Sequence, residues 1–341
     1  MSDQSRAPRQ HPNATTAAVV EALLAARRAH PRWGPRKLVA WLQARAPEVE
    51  LAAPSTVGDL LKRHGLVPPR PRRRRGAATP TALSPATAPN EVWCGDFKGW
   101  FRLRDGTRCD PLTLTDAYSR YLLRCQAVAR TDSAHVHRVW AAAFREYGLP
   151  RVIRTDNGPP FASTGLGGLT ALAVWWIKLG IRPERIAPGH PEQNGRHERM
   201  HRTLGDETSA PPQATRRAQQ RRFNEFRAEF NHERPHEALG QHPPATHYTP
   251  SPRAFPRRVP TVEYPGHFEV RRVRTKGDIK WQGGLVFVSR ALIGEPVGLE
   301  AVSERHWRLY FGPVPLALLD MVHRRLLPYR LTTPAAETAR S

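Results

Sequence analysis

Two proline-rich stretches, residues 66–90 and 241–260, divide this 341-residue chain into parts that must each bury their own apolar surface. The first holds Pro68, Pro69 and Pro71, followed by Arg72, Arg73, Arg74 and Arg75. Proline withholds a backbone donor and like charges repel, so both stretches read as linkers. The periodicity changes across them. It is helical over 16–65, mixed over 91–240 and alternating over 261–330. Residues 1–15 and 331–341 read as disordered tails.

The first part predicts three short helices. One runs from about Thr16 to Arg28 with Val19, Val20, Leu23 and Leu24 on one face, and one follows Gly34-Pro35. The third opens at Pro54-Ser55-Thr56, with a hydroxyl suited to cap it, and closes at Gly65. Three short helices ending in the basic pair Lys62 and Arg63 fit a helix-turn-helix that binds DNA. A plain helical bundle would show the same periodicity.

The middle part predicts an α/β domain. Strands are expected at Val92–Phe101, Pro111–Thr115, Tyr121–Val128, Arg151–Thr155 and Ile181–Ile186. Helices are expected from Thr131 or Asp132 to Tyr147, over Leu166–Leu179 and over Gln193–Thr208. A further helix carries Phe223, Phe226 and Phe230 as a core-facing stripe. The last part predicts five short strands, with a turn at Gly283-Gly284, and hence a small β-barrel.

Charge narrows the partner. Lys and Arg total 53 against 30 Asp and Glu, a formal net charge of +23. Only six of the basic residues are lysine. Arginine offers the better fork for phosphate oxygens, so a polyanion such as double-stranded DNA is the first partner to consider. The basic linker, Arg72 to Arg75, could also track a DNA backbone. The three cysteines, Cys94, Cys109 and Cys125, include no close pair, which excludes a disulfide framework or zinc ribbon and suits a reducing cytosol. No apolar run approaches the ~18–20 residues that span a membrane, so no membrane partner is expected.

Glu198 belongs to two patterns. His197-Glu198-Arg199-Met200-His201 is an H-E-x-x-H string, in which two histidines on one helical face could share zinc. That reading predicts a peptidase, but it leaves Asp96, Asp156 and the positive charge without a role. Alternatively, Glu198 is the third of three acids, with Asp96 inside a strand and Asp156 just after one. Carboxylates converging from separate elements can hold two Mg²⁺ ions, with Mn²⁺ an alternative, for phosphodiester chemistry. Asp116, before Ser119-Arg120, reads as a residue that holds a turn or an arginine, with a place in the metal site as the alternative. His190 reads as a possible DNA contact or a plain loop histidine.

The surrounding residues make the second pattern specific. Trp93-Cys94-Gly95-Asp96-Phe97, Thr115-Asp116-Ala117-Tyr118-Ser119-Arg120-Tyr121, Thr155-Asp156-Asn157-Gly158-Pro159-Pro160-Phe161 and His190-Pro191-Glu192-Gln193-Asn194-Gly195-Arg196-His197-Glu198-Arg199 occur in this order. The region 90–240 closely resembles the catalytic core of DDE-type bacterial insertion-sequence transposases, relatives of retroviral integrases. The resemblance implies an RNase H-like core in which Asp96, Asp156 and Glu198 bind two divalent metals. The family's usual spacing after Asp156 lands on Glu192. The string Pro-x-x-Asn-Gly-x-x-Glu-Arg instead places the third acid at Glu198, after the Asn-Gly step. The Gly-rich stretch Ser163–Leu172 absorbs the extra length.

The resemblance implies Mg²⁺-dependent cleavage and strand transfer at insertion-sequence ends. It also implies direct transfer without a covalent enzyme–DNA intermediate, by a homo-oligomer that binds element ends and target. Arg199 and Arg202, beside Glu198, are further candidate DNA contacts. The expected location is the bacterial cytoplasm, in association with the nucleoid. Two alternatives share the fold. One is an N-terminally truncated, non-catalytic DNA-binding regulator, since members of this group commonly carry another helix-turn-helix upstream. The other is a nuclease that cuts without joining.

Overall fold

The computed structural model describes residues 15–67, 83–187, 195–323 and 325–328. The expected tails, Arg72 to Arg75, His190 and Glu192 lie outside the described residues. The chain divides into two compact units, one formed by the N-terminal segment with Glu229–Thr246 and the other by the rest.

In the first unit, α1 (Ala17–Ala29), α2 (Pro35–Arg45) and α3 (Pro54–Arg63) meet around Leu23, Leu24, Trp33, Leu38, Val57 and Leu61. Thr16 caps α1 by accepting from the Val19 amide. The capping expected at the start of α3 is different. Pro54 is the first helical residue, Ala53 precedes it, and no side chain caps the helix. Proline suits that position because its missing amide would have no helical partner. Arg27 donates to the carbonyls of Trp33 and Leu66, at 2.5 and 2.6 Å, tying the first helix to the segment after the third. Residues 229–246 complete this unit. The Arg234 guanidinium lies 5.6 Å from the Trp33 ring centroid and Arg45 pairs with Glu233 at 3.2 Å.

The second unit is built on a mixed sheet. Its strands are β1 (Val92–Phe97), β2 (Phe101–Arg102), β3 (Arg108–Asp116), β4 (Leu122–Val128), β5 (Val152–Thr155) and β6 (Arg182–Arg185). β1 pairs antiparallel with β3, which pairs antiparallel with β4. β1, β5 and β6 run parallel. The single strand expected from Val92 to Phe101 is broken after Phe97, where Gly99 takes φ +94°.

Strand alternation gives β1 two unlike faces. Trp93 points to a core shared with Trp140 and Phe144 of α4 (Ser133–Tyr147) and with Trp175 and Trp176 of α5 (Ala171–Lys178). Asp132 caps α4 as expected. The long helix expected over Leu166–Leu179 is instead a single 3-10 turn at Leu166–Gly168 and then α5. Gly167 and Gly168, at φ +60° and +63°, separate the two, and Thr170 caps α5.

Beyond β6 come two helices, α6 (Gly195–Thr208) and α7 (Arg216–His232). The expected stripe Phe223, Phe226 and Phe230 is buried. Gln220 of α7 accepts from the Ala127 amide and donates to the Cys125 carbonyl, while Arg227 donates to the Leu123 carbonyl. These side chains occupy backbone groups along β4, the edge strand, as a neighbouring strand would. The second proline-rich stretch is not a free spacer. The Leu149 amide donates to the Arg253 carbonyl, the Ser251 amide to the Tyr147 carbonyl, and Tyr248 stacks on Tyr121.

The C-terminal part holds β7 (Glu269–Arg272), β8 (Asp278–Trp281), β9 (Gly284–Phe287), β10 (Pro296–Ser303), β11 (His306–Phe311), β12 (Val314–Asp320) and β13 (Arg325–Pro328). Where five strands are expected, seven form: a five-stranded sheet in the order β13-β12-β11-β10-β7 and a β8–β9 hairpin whose Ile279, Trp281 and Val286 share the sheet's apolar core. The two extra strands lack a clean alternation, because β12 reads as a nearly continuous apolar run. Trp281 pairs with Gly284, so the tight turn is Gln282-Gly283, one residue earlier than expected. Leu169, Ala173, Val174 and Ile177 share a core with this sheet, and Lys178 pairs with Glu295 at 2.6 Å.

At Gly95 the sheet lies close against Trp140 of α4. A Cβ there would lie 2.5 Å from Cζ2 of Trp140. Gly95→Ala is therefore expected to cost about 1–3 kcal/mol through overpacking. Urea unfolding should show a lower midpoint, with part of the loss recovered in the Gly95→Ala/Trp140→Phe double variant.

Candidate active site

The other face of β1 carries Asp96. In the β1–β3 register Asp96 lies opposite Thr113 and Cys94 opposite Thr115. In the β1–β5 register Gly95 lies opposite Thr155, so Asp156 comes one step on, at the level of Asp96. Pairing and alternation thus direct Asp96, Thr113, Thr115 and Asp156 to one side.

Asp156 lies just past the end of β5. Its carboxylate accepts from the Gly158 amide, but Oδ1 is buried with no hydrogen-bond partner among the described residues. Burial raises its pKa from the ordinary carboxylate value, against that one bond. The Asn157 side chain donates to the Ile186 carbonyl at 2.7 Å, fixing the turn against the end of β6. Beside it, Arg154 and Glu184 pair at 2.7 Å across β5 and β6, and Ser84 donates to the same carboxylate.

The helix α6 presents two sides. His197, Met200, His201, Leu204 and Thr208 are buried, at helical spacing. Glu198, Arg199 and Arg202 are exposed. The buried histidines reach β3, where the Nε2 atoms of His197 and His201 lie 2.6 and 2.7 Å from the Thr113 hydroxyl oxygen. That hydroxyl donates to the Asp96 carbonyl at 3.2 Å, which can only accept. With its one proton used there, Thr113 accepts from both imidazoles, and each ring carries its proton on Nε2. Thr115 can then donate to the bare Nδ1 of His197, 3.2 Å away. Burial pushes His197 down to about 3. Burial, with His197 and Lys98 nearby, pushes His201 down to about 2. Both rings are neutral at physiological pH.

Asp96, His197 and His201 bring ligand atoms within 4.8 Å of one another, a group that includes neither Asp156 nor Glu198. The sequence pairs Asp96 with Asp156 and Glu198 and leaves the histidines aside. Their i, i+4 spacing and the threonines of β3 are the signal that links them. Both Nε2 atoms are engaged by Thr113 inside the fold, whereas a peptidase zinc needs a position open to substrate. Lys98 also lies here. A Cβ on Gly205 of α6 would come within 2.8 Å of its Nζ, so the glycine leaves room for the ammonium.

The remaining site expectations have definite places. Asp116 is fully buried and accepts from the Ser119 amide and hydroxyl and from the Asn90 amide, which makes it the turn holder expected. Burial raises its pKa in spite of these bonds. Lys62 and Arg63 are exposed on the last turn of α3.

Residues 86–191 and 179–244 match the Integrase core domain family, and residues 1–61 match a Homeodomain-like domain. The chain is 30% identical over 261 residues to the insertion element IS407 uncharacterized 31.7 kDa protein of Burkholderia multivorans, spanning 76% of this chain and 87% of that one. The chain belongs to the insertion-element transposases with an integrase core. A second relative, the insertion element IS476 uncharacterized 39.2 kDa protein of Xanthomonas euvesicatoria, is 31% identical over 241 residues, and the alignment spans 69% of this transposase and 65% of the relative. Similar solved structures include the simian T-cell lymphotropic virus intasome in complex with PP2A regulatory subunit B56 gamma, at 19% identity and TM-score 0.42, covering 86% of this chain and 98% of that one. Another is the HTLV-2 integrase catalytic core domain in complex with magnesium, at 15% identity and TM-score 0.39, covering 48% and 100%. By the family matches, the central α/β domain is an integrase core of RNase H-like class, and the N-terminal helices are a helix-turn-helix of homeodomain-like class. No helix among the described residues is long and apolar enough to cross a membrane.

Replacing Thr113 should expose how much α6 relies on it. Thr113→Val leaves two buried imidazole donors without an acceptor, at about 1–3 kcal/mol each. Thr113→Ser keeps the hydroxyl. The valine variant is expected to lose at least about 2 kcal/mol by urea unfolding, and the serine variant less than half of that.

Proposed function

We propose that this protein is a DNA transposase that cleaves insertion-sequence ends and transfers the strands to target DNA, using Asp96, Asp156 and Glu198 with two divalent ions, Mg²⁺ first and Mn²⁺ as the alternative. The observation that carries this reading is the register that aims Asp96 and Asp156 to one side at the same level of neighbouring parallel strands. The donor set fits such ions. Asp156 Oδ1 is buried with no partner among the described residues and burial disfavours its charge, a setting in which a cation supplies the missing compensation. Bound divalent ions would activate the attacking oxygen and stabilise the departing one.

The rest is assigned to the chain's own residues. Asp96 stands on β1 and Asp156 is the first residue past the paired strand β5, so the sheet carries both at its end. Glu198 would join them from α6, whose seat on β3 is set by His197 and His201. Arg199 and Arg202 are exposed beside Glu198 and suit phosphates on either side of the scissile bond. Lys62 and Arg63 would hold element ends through α3, and Arg72 to Arg75 and His190 would add contacts. The family's action on paired ends, and the intasome assembly of the viral relative, support a homo-oligomer on DNA. The cytoplasm, in contact with the nucleoid, is where such a substrate lies.

The test uses labelled element ends, target DNA and Mg²⁺. Asp96→Asn, Asp156→Asn and Glu198→Gln are each expected to lower strand transfer by at least about 100-fold, the scale of removing a transition-state stabiliser, while Glu192→Gln retains it. Loss with Glu192→Gln and retention with Glu198→Gln would overturn the choice of third acid. Absence of any EDTA-sensitive nicking or joining by the unaltered protein would count against the catalytic reading. For the helix-turn-helix, Lys62→Ala/Arg63→Ala should flatten the slope of log affinity against log salt by about 2, roughly 0.9 for each lost phosphate contact.

A further inference from the structure

We propose that His201 is a nitrogen ligand to the divalent ion held by Asp96, which makes the site favour transition ions such as Mn²⁺ over Mg²⁺. This rests on the reading of Asp96 as a metal ligand. Among the described residues, the ligand-bearing side chains whose atoms all lie within 4.8 Å of one another are Asp96, His197 and His201, a mixed set of one carboxylate and two imidazoles. Two of them are imidazoles, and their roles are settled by Thr113. Assigning the single Thr113 proton to the Asp96 carbonyl, which can only accept, makes both rings Nε2–H donors to Thr113 and leaves a lone pair on each Nδ1.

The Nδ1 atoms differ. That of His197 lies 3.2 Å from the Thr115 hydroxyl, which can donate to it. That of His201 faces Asp96 Oδ2 at 4.0 Å. Nitrogen lone pair and carboxylate oxygen thus face each other at a distance too long for a hydrogen bond. Two metal–ligand bonds of about 2.1 Å each span such a gap with little movement.

The ring is oriented by the device that metal-binding histidines generally use. Its other nitrogen donates to a fixed oxygen, here Thr113 Oγ1. The helix places His201 one turn beyond His197 and three residues beyond Glu198, so the same α6 supplies both an oxygen and a nitrogen to one region. Mg²⁺ takes hard oxygen ligands and gains little from imidazole, whereas Mn²⁺, Co²⁺ and Zn²⁺ accept nitrogen. A mixed site therefore changes ion preference without changing the carboxylates.

The experiment measures ion binding on the full-length protein, stripped with EDTA and desalted. Mn²⁺ is titrated by the electron paramagnetic resonance signal of the free ion, and Mg²⁺ by competition. The unaltered protein is expected to bind Mn²⁺ at least about tenfold more tightly than Mg²⁺. His201→Gln places an amide where Nε2 stood, keeping the Thr113 bond but losing Nδ1. It is expected to weaken Mn²⁺ about tenfold and to change Mg²⁺ less than about threefold. Pulsed resonance of the unaltered protein with one equivalent of Mn²⁺ should show nitrogen coupling from imidazole, which makes the test independent of whether His201→Gln folds. If Asp96→Asn removes ion binding but nitrogen coupling is missing, or His201→Gln leaves the Mn²⁺ to Mg²⁺ ratio unchanged, the histidine proposal fails and the Asp96 reading stands. If Asp96→Asn leaves Mn²⁺ binding unaltered, both fail.

Discussion

The two faces of β1 are the constraint on which the rest of this structure depends. Six residues must seal an aromatic core on one side and carry an acid on the other. Trp93 and Gly95 serve the core, and the glycine lets the Trp140 indole press against the sheet. Asp96 faces the opposite way because alternation leaves no choice. A one-residue slip would put the carboxylate among tryptophans and a tryptophan at the site, so fold and chemistry share one register.

That register reaches α6 through Thr113. A hydroxyl with one proton serves a carbonyl and two imidazoles, which decides the tautomer of both rings. The histidines are therefore part of the scaffold that seats Glu198, even though they read in sequence as a zinc motif. Their burial also explains why a helix of low mean hydropathy docks so closely, since neutral imidazoles with satisfied donors are tolerated inside.

Much of the core was legible because its cues are local. Asp132 as a cap, the Gly148-Leu149-Pro150 stop, the Asp116 turn and the Phe223, Phe226, Phe230 stripe each depend on near neighbours in sequence. What escaped depends on partners far away. Periodicity over Leu166–Leu179 hid two glycines with positive φ, and β12 is too uniformly apolar to show a strand period. The meeting of His201 with Asp96 joins residues more than a hundred positions apart, which no spacing rule reaches. The second proline-rich stretch looked like a spacer because composition reports flexibility, not the hydrogen bonds that Arg253 and Ser251 make with the core.

The N-terminal unit is discontinuous. Residues 229–246, at the C-terminal end of the integrase-core match, supply Arg234 to the Trp33 ring and Glu233 to Arg45. A fragment ending before the catalytic region would keep the core of α1, α2 and α3 but lose the contacts of Arg234 and Glu233. In the history of such elements, an exchange of DNA-binding modules by recombination at the first linker would leave the incoming helices facing a segment selected for different ones. The end of α7 thus ties the inheritance of the N-terminal helices to that of the core.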